Sequence, residues 1–164
     1  MDYLLYVDKK TGLPNREKLN IYIGEMAGKV LPEAFTCFTL NLDNLSELTK
    51  RFGYIVGDGV LKDFAGLVQL MGDTEGMRGY NGVGRFVVFF EECSSKKAAA
   101  MIRILDNQVE EYNSLNPEYP IRYTAAWATT EETDTYEIRE LLRLSQKKWK
   151  QMEKEKKDKT EEET

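Results

Sequence analysis

GYNGVGRFVVFF, Gly79 to Phe90, is the stretch on which the fold turns. Two short runs of β-type residues meet over Gly79, Gly82 and Gly84, the composition of a tight hairpin. Arg85 stands where the second strand begins, one residue before Phe86 and its large apolar successors. The hairpin places Gly84 and Arg85 in an exposed turn and Phe86 in the core behind it.

Outward from the hairpin, hydrophobic spacing predicts the remaining elements. A helix begins at Pro14, a favoured first helical residue, with Leu19, Tyr22, Ile23, Met26 and Val30 on one face, and ends between Gly28 and Leu31. AFTCFTLNLD, Ala34 to Asp43, is rich in β-branched and aromatic residues and reads as a central strand. Asn44 or its neighbour caps a short helix carrying Leu45, Leu48 and Phe52, which Gly53 stops. A second helix starts around Asp58 and shows Val60, Leu61, Phe64, Leu67, Val68 and Met71 at helical spacing. Past the hairpin, Ser94 or Ser95 opens a long helix with Met101, Ile104, Leu105 and Val109 inward. Tyr119 to Thr130 forms another strand. Asp134 to Glu137 resembles a capping box for the last helix, whose face is Ile138, Leu141, Leu142 and Ser145.

Helices thus alternate with strands, but the hairpin makes part of the sheet antiparallel. The expected fold is α/β (α+β): a mixed, partly antiparallel central sheet flanked by helices, of the palm or ferredoxin-like kind rather than a Rossmann fold. Beyond Trp149, KQMEKEKKDKTEEET has almost no apolar residues and reads as a fraying helix that passes into a disordered tail or linker. The expected organisation is a lead-in segment at 1–13, one domain at 14–154 and a charged tail at 155–164.

Composition removes several function classes. With 164 residues and 41% hydrophobic content the chain suffices for one domain with a real core. A net charge of -5 without a long basic stripe argues against nucleic acid as a partner. Cys37 and Cys93 lack metal-ligand spacing and read as reduced core residues of a cytoplasmic protein. There is no histidine, so carboxylates, lysines and hydroxyls must carry any chemistry. No apolar run is long enough for a membrane span.

Two local sequences identify a family. DKKTGLPNREKL, Asp8 to Leu19, resembles the D-x-L-T-G-L-P-N-R-x-x-L motif that opens GGDEF domains, the diguanylate cyclase family. NLDNLSELTKRFGYIVGDGVLKDFA, from Asn41, is similar without a gap to that family's D-I-D-x-F-K-x-I-N-D-x-x-G-H-x-x-G-D-x-x-L-x-x-x-A segment. The hairpin then falls on the G-G-D/E-E-F signature, here Gly82, Val83, Gly84, Arg85 and Phe86.

The resemblance implies a domain that binds GTP and pairs with a second copy to form cyclic di-GMP, using Mg²⁺ held by carboxylates. Carried over residue by residue, it also implies that this site is degenerate. Asn41 stands at the first metal acid, Gly84 at the second, and Arg85 replaces the catalytic Glu. Val83, in place of the second signature glycine, would crowd a base or sugar lying on the turn. Thr49 takes the place of a guanine-contacting Asn, Ser46 that of a Lys beside the phosphates, and Glu153 falls near a phosphate-binding Lys. Asp43, the second acid of D-I-D, is retained but is not a direct metal ligand. Asp58 is retained, and its role stays open between guanine contact and helix N-cap. The product-inhibition motif R-x-x-D is missing from the window Asp73 to Gly76, and Arg78 is out of register for it.

The residual nucleotide-site candidates are therefore Asp58, Thr49, Ser46, Gly82 and Arg85, with no catalytic residue, no metal ligand and no cofactor. The resemblance implies a regulatory or interaction module, open to GTP, joined to sensor or EAL-type domains in a longer cytoplasmic or membrane-attached protein. Its alternatives are an active cyclase with altered ligands, for which Mg²⁺ would be needed, and a structural homodimerisation or spacer domain.

Overall fold

The structure, a computed structural model, describes residues 5–72 and 75–163. In chain order the elements are α1 (Arg16–Met26), β1 (Thr36–Leu42), α2 (Leu45–Phe52), α3 (Tyr54–Gln69), β2 (Gly76–Gly82), β3 (Arg85–Phe90), α4 (Ser95–Leu115), β4 (Tyr123–Thr129), α5 (Thr130–Thr133) and α6 (Ile138–Glu163). The four strands form one sheet in the order β2-β3-β1-β4. The expected palm, or ferredoxin-like, sheet is present, and each neighbouring pair in it is antiparallel. The α2–α3 crossover carries the chain from β1 past one position to the sheet edge, and the hairpin returns β3 into the gap.

Both faces of the sheet are covered, which is why β3 after Arg85 reads FVVFF, buried at every position. Phe38, Leu40, Leu42, Phe86, Val88 and Phe90 join the cluster that includes Leu48, Phe64 and Leu105 from α2, α3 and α4. Cys37, Val87 and Phe89 point the other way, onto Leu19 of α1 and Ile138 and Leu141 of α6. Cys37 and Cys93 are both free and buried, and burial pushes the Cys37 thiol up to about 12, so it stays protonated.

Several boundaries differ from the pattern for local reasons. Pro14 precedes α1, and Asn15 is its N-cap, accepting from the Lys18 N–H at 3.0 Å while its own amide donates to the Leu5 carbonyl at 2.9 Å. Asn15→Ala is expected to cost about 0.5 to 2 kcal/mol, read as a fall in the urea midpoint. Because α1 ends at Met26, Val30 leaves the helical face and is exposed. Asn44 sits at the N-cap of α2, yet its side chain bonds Pro120 and Arg122 instead of the helix.

Gly53, at φ 91, separates α2 from α3. The second helix thus begins at Tyr54, and Asp58 lies inside it rather than at its N-cap. Ile104 projects from α4 into solvent, whereas Met101, Leu105 and Val109 are buried. Asp134 is not part of a cap for α6. It takes a left-handed φ of 52 after the short α5, and Glu137 caps instead, accepting from the Glu140 N–H at 3.0 Å. α6 itself continues to Glu163, so the charged run placed in a disordered tail is helical there.

Candidate functional site

Strand alternation decides what stands at the end of the sheet. Since Cys37 faces α6, so do Thr39 and Asn41, the residues two and four further on. Thr39 exchanges a 2.8 Å hydrogen bond with Ser145, one turn of α6 beyond the buried Leu141. The next turn presents Trp149, only 4% exposed. Arg85 is the cross-strand partner of Asn41 and lies on this same face, its guanidinium carbon 4.9 Å from the Trp149 ring centroid. The Trp149 indole N–H is buried without a hydrogen-bond partner among the described residues.

The turn before Arg85 is tighter than an exposed loop. Val83 and Gly84, at φ 48 and 81, are its two central residues, and Gly82 pairs with Arg85. Of these two, only Val83 projects outward, at 80% exposure, and its side chain stands on the rim of an open cleft. Arg85 is exposed as expected, but Gly84 is buried, its N–H donating to the Tyr80 hydroxyl at 2.8 Å. Burial raises Tyr80 above the ordinary phenol value, with the Gly84 N–H pulling against it. Arg16, from the opening motif, holds the hairpin from outside: its guanidinium donates to the Asn81 side chain at 3.1 Å and to the Asn81 carbonyl at 2.6 Å.

An open cleft of about 580 Å³ lies between the turn, the start of α2 and α6. Of the candidate residues it brings together Ser46, Thr49 and Arg85, beside Asn41, Lys50 and Glu153. The Thr49 hydroxyl already donates to the Leu45 carbonyl at 2.9 Å, and its Oγ occupies the space a Cβ on Gly57 would need. Asp58 and Gly82 are not part of the cleft lining. Asp58 pairs with Lys10 at 3.4 Å, and Gly82 stands next to the Arg16 guanidinium. Of the product-site window, Asp73 and Thr74 lie outside the described residues.

Asp43 is engaged on both oxygens. It accepts from the Asn41 amide at 2.7 Å and from the Thr124 hydroxyl at 2.6 Å. Lys156 arrives from α6, donating to Thr124 Oγ1 at 2.7 Å and the Tyr123 carbonyl at 3.0 Å, with its Nζ 4.0 Å from Asp43. Glu153, expected beside a phosphate, pairs with Lys157 at 2.8 Å. Trp149 and Lys156 escaped the sequence reading, although Ser145, Trp149 and Glu153 recur every four residues and Lys156 follows at three. Reading the charged run as a tail hid that continuation.

These donors do not fit a divalent metal. Asn41 offers a neutral amide, Gly84 has no side chain, and Arg85 puts a permanent cation across from Asn41 on the same face. Among the described residues no group of three or more carboxylate or thiol residues could hold an ion.

A four-stranded antiparallel palm, with a cleft bounded by the β1–α2 junction, a hairpin turn and the last helix, defines a ferredoxin-like α/β domain with its site at the sheet end. Residues 5–159 match the family described as Diguanylate cyclase, GGDEF domain, and the chain belongs to this GGDEF family of diguanylate-cyclase-like modules of bacterial cyclic di-GMP signalling. Solved structures share the fold. A diguanylate cyclase/phosphodiesterase from Caldicellulosiruptor saccharolyticus is 18% identical at a TM-score of 0.73, over 94% of this chain and 90% of that one. The FimX GGDEF domain from Pseudomonas aeruginosa is 18% identical at 0.70, over 87% and 90%. Vibrio cholerae LapD S helix-GGDEF-EAL is 14% identical at 0.63, over 77% of this chain but 29% of that one. No curated protein matches the sequence.

Proposed function

We propose that this chain is a GGDEF domain that does not make cyclic di-GMP and acts as a regulatory or interaction module in a longer cytoplasmic signalling protein. The observation that carries this reading is the pairing of Asn41 with Arg85 across β1 and β3, next to a buried Gly84. At the two metal-acid positions and the catalytic position stand an amide, a bare backbone and a cation. A flanking EAL-type domain is supported by likeness to LapD S helix-GGDEF-EAL, of which this fold is one part.

Removing one charge-stabilising group from an active site commonly costs ~10²- to 10³-fold in rate. Three such losses are not additive, but together they take the reaction far below an ordinary turnover of about 10 s⁻¹. The chain incubated with GTP and Mg²⁺ or Mn²⁺ is therefore expected to yield no cyclic di-GMP by chromatography. Metal-dependent product at an ordinary turnover overturns the reading in favour of an active cyclase with altered ligands. The grouping of Ser46, Thr49 and Arg85 around the cleft favours a module that still holds a ligand over a pure spacer or homodimerisation domain. A GTP-dependent rise in melting temperature separates the two.

A further inference from the structure

α6 is held in two different ways along its length. From Ile138 to Trp149 it is packed, with Ile138, Leu141, Ser145 and Trp149 buried at helical spacing. Beyond Trp149 the side chains are exposed or half-buried, and much of their bonding is local. Glu153 meets Lys157 at 2.8 Å, Gln151 donates to Glu155 at 3.2 Å, and the Thr160 hydroxyl donates to the Lys156 carbonyl at 2.9 Å. Pairs one turn apart stabilise a helix but fasten it to nothing. A lone helix shorter than about 12 to 15 residues is marginal in water, so the stretch 150–163 needs a tie to the sheet to stay formed. Lys156 supplies one. Its Nζ donates to Thr124 Oγ1 at 2.7 Å and to the Tyr123 carbonyl at 3.0 Å, both on β4, and stands 4.0 Å from Asp43. Thr124 passes the contact on, donating its own proton to Asp43 at 2.6 Å. A cavity of about 490 Å³ lies under this part of the helix, bounded by Asn41, Asp43 and Thr124 of the sheet end and by Glu153, Lys156 and Thr160 of α6. With that void beneath it, the helix gains little packing that would substitute for the lysine.

We infer that α6 beyond Trp149 is a strap with two states, closed over the sheet-end cavity when Lys156 is latched on Thr124, Tyr123 and Asp43, and frayed when it is not. The latch is charge-assisted, and its acceptors belong to the sheet rather than to the helix. The state of the sheet end and the state of the strap are therefore coupled, and a change at Thr124 is felt in α6 as directly as a change at Lys156. The closed state is the one the structure describes.

Amide hydrogen exchange of the whole chain, read by mass spectrometry on peptides of α6, tests it. Lys156→Met keeps the alkyl stem and the helix propensity but removes the donors. It is expected to lower the protection of amides 152–160 about tenfold and to leave 141–149 within about twofold. Thr124→Val changes no residue of α6, and is expected to lower the protection of the same amides. In the double variant it adds little to Lys156→Met, because both remove one contact. Lys154→Met, exposed on the same stretch, leaves the protection unchanged. The Lys156 side chain is 55% exposed, so its variant keeps the fold whatever Thr124→Val does to β4. Unchanged protection of 152–160 in either variant, or a loss that spreads equally into 141–149, overturns the inference. None of these exchange rates bears on whether cyclic di-GMP forms, so the silence of the site and the strap fail separately.

Discussion

Phe86→Ala is expected to destabilise the fold by about 3 to 5 kcal/mol, the range for truncating an aromatic side chain in a packed core. The side chain is 0% exposed and stacks edge-on against Phe64, ring centroids 5.4 Å apart, and at a tilt against Tyr80 at 5.0 Å. Its backbone pairs with Leu40 on one side and Tyr80 on the other, in the interior of the sheet. Strands held on both sides cannot close onto the cavity, so little of the loss is recovered by collapse. At a urea slope of about 1 to 3 kcal/mol/M, the midpoint should fall by more than about 1 M. A loss under about 1 kcal/mol would place β3 one residue out of register, and would move Arg85 to the opposite face.

Gly84→Asp carries the second large effect, for a different reason. Gly84 has φ 81, and a Cβ there would stand 3.1 Å from the Leu42 carbonyl oxygen and 3.4 Å from Leu45 Cδ2. Left-handed backbone at a non-glycine residue costs about 1 to 2 kcal/mol. Placing a carboxylate at this buried turn adds a desolvation cost of about 1 to 3 kcal/mol. The neighbouring Arg85→Glu, on an exposed side chain, loses only the contact with Trp149, worth about 0.5 to 1 kcal/mol. Urea melts should therefore rank Phe86→Ala and Gly84→Asp well above Arg85→Glu. Combining Asn41→Asp, Gly84→Asp and Arg85→Glu places three new carboxylates at one sheet end, and a Mn²⁺-dependent rise of the midpoint is expected in that triple variant alone. A Mn²⁺ response in the parent chain would contradict the assignment of its cleft as unsuited to metal.

Much of this site was legible from residue order. The resemblance sets Asn41, Gly84 and Arg85 at the family's acidic positions, and what the structure adds is that Asn41 stands opposite Arg85. Asp58 was misplaced because a Gly-Asp pair before an apolar run looks like a helix start. Here Gly53 at φ 91 allows the helix to begin earlier, and Gly57 sits inside it where Thr49 leaves no room for a Cβ. Gly84 was placed in solvent because turn composition reports backbone conformation and not what lies beneath. In the structure, the Leu42 carbonyl and the Tyr80 hydroxyl cover it.

Periodicity, glycine placement and the alternation of apolar side chains determined by themselves the order of elements, the hairpin and the core faces of the helices and strands, because each depends on residues within a few positions of one another. The tertiary structure alone decided that α6 continues over the cleft. Nothing within KQMEKEKKDKTEEET distinguishes a solvated tail from a helix held in place, since its charges are as well hydrated in either state. What holds it lies far away in the chain: Thr39 bonds Ser145, 106 residues on, Arg85 stacks on Trp149, and Lys156 meets Thr124 and Asp43 at the sheet end. Those contacts exist only once β1, β3 and β4 stand side by side, and they bring Arg85, Trp149 and Lys156 together at the sheet end.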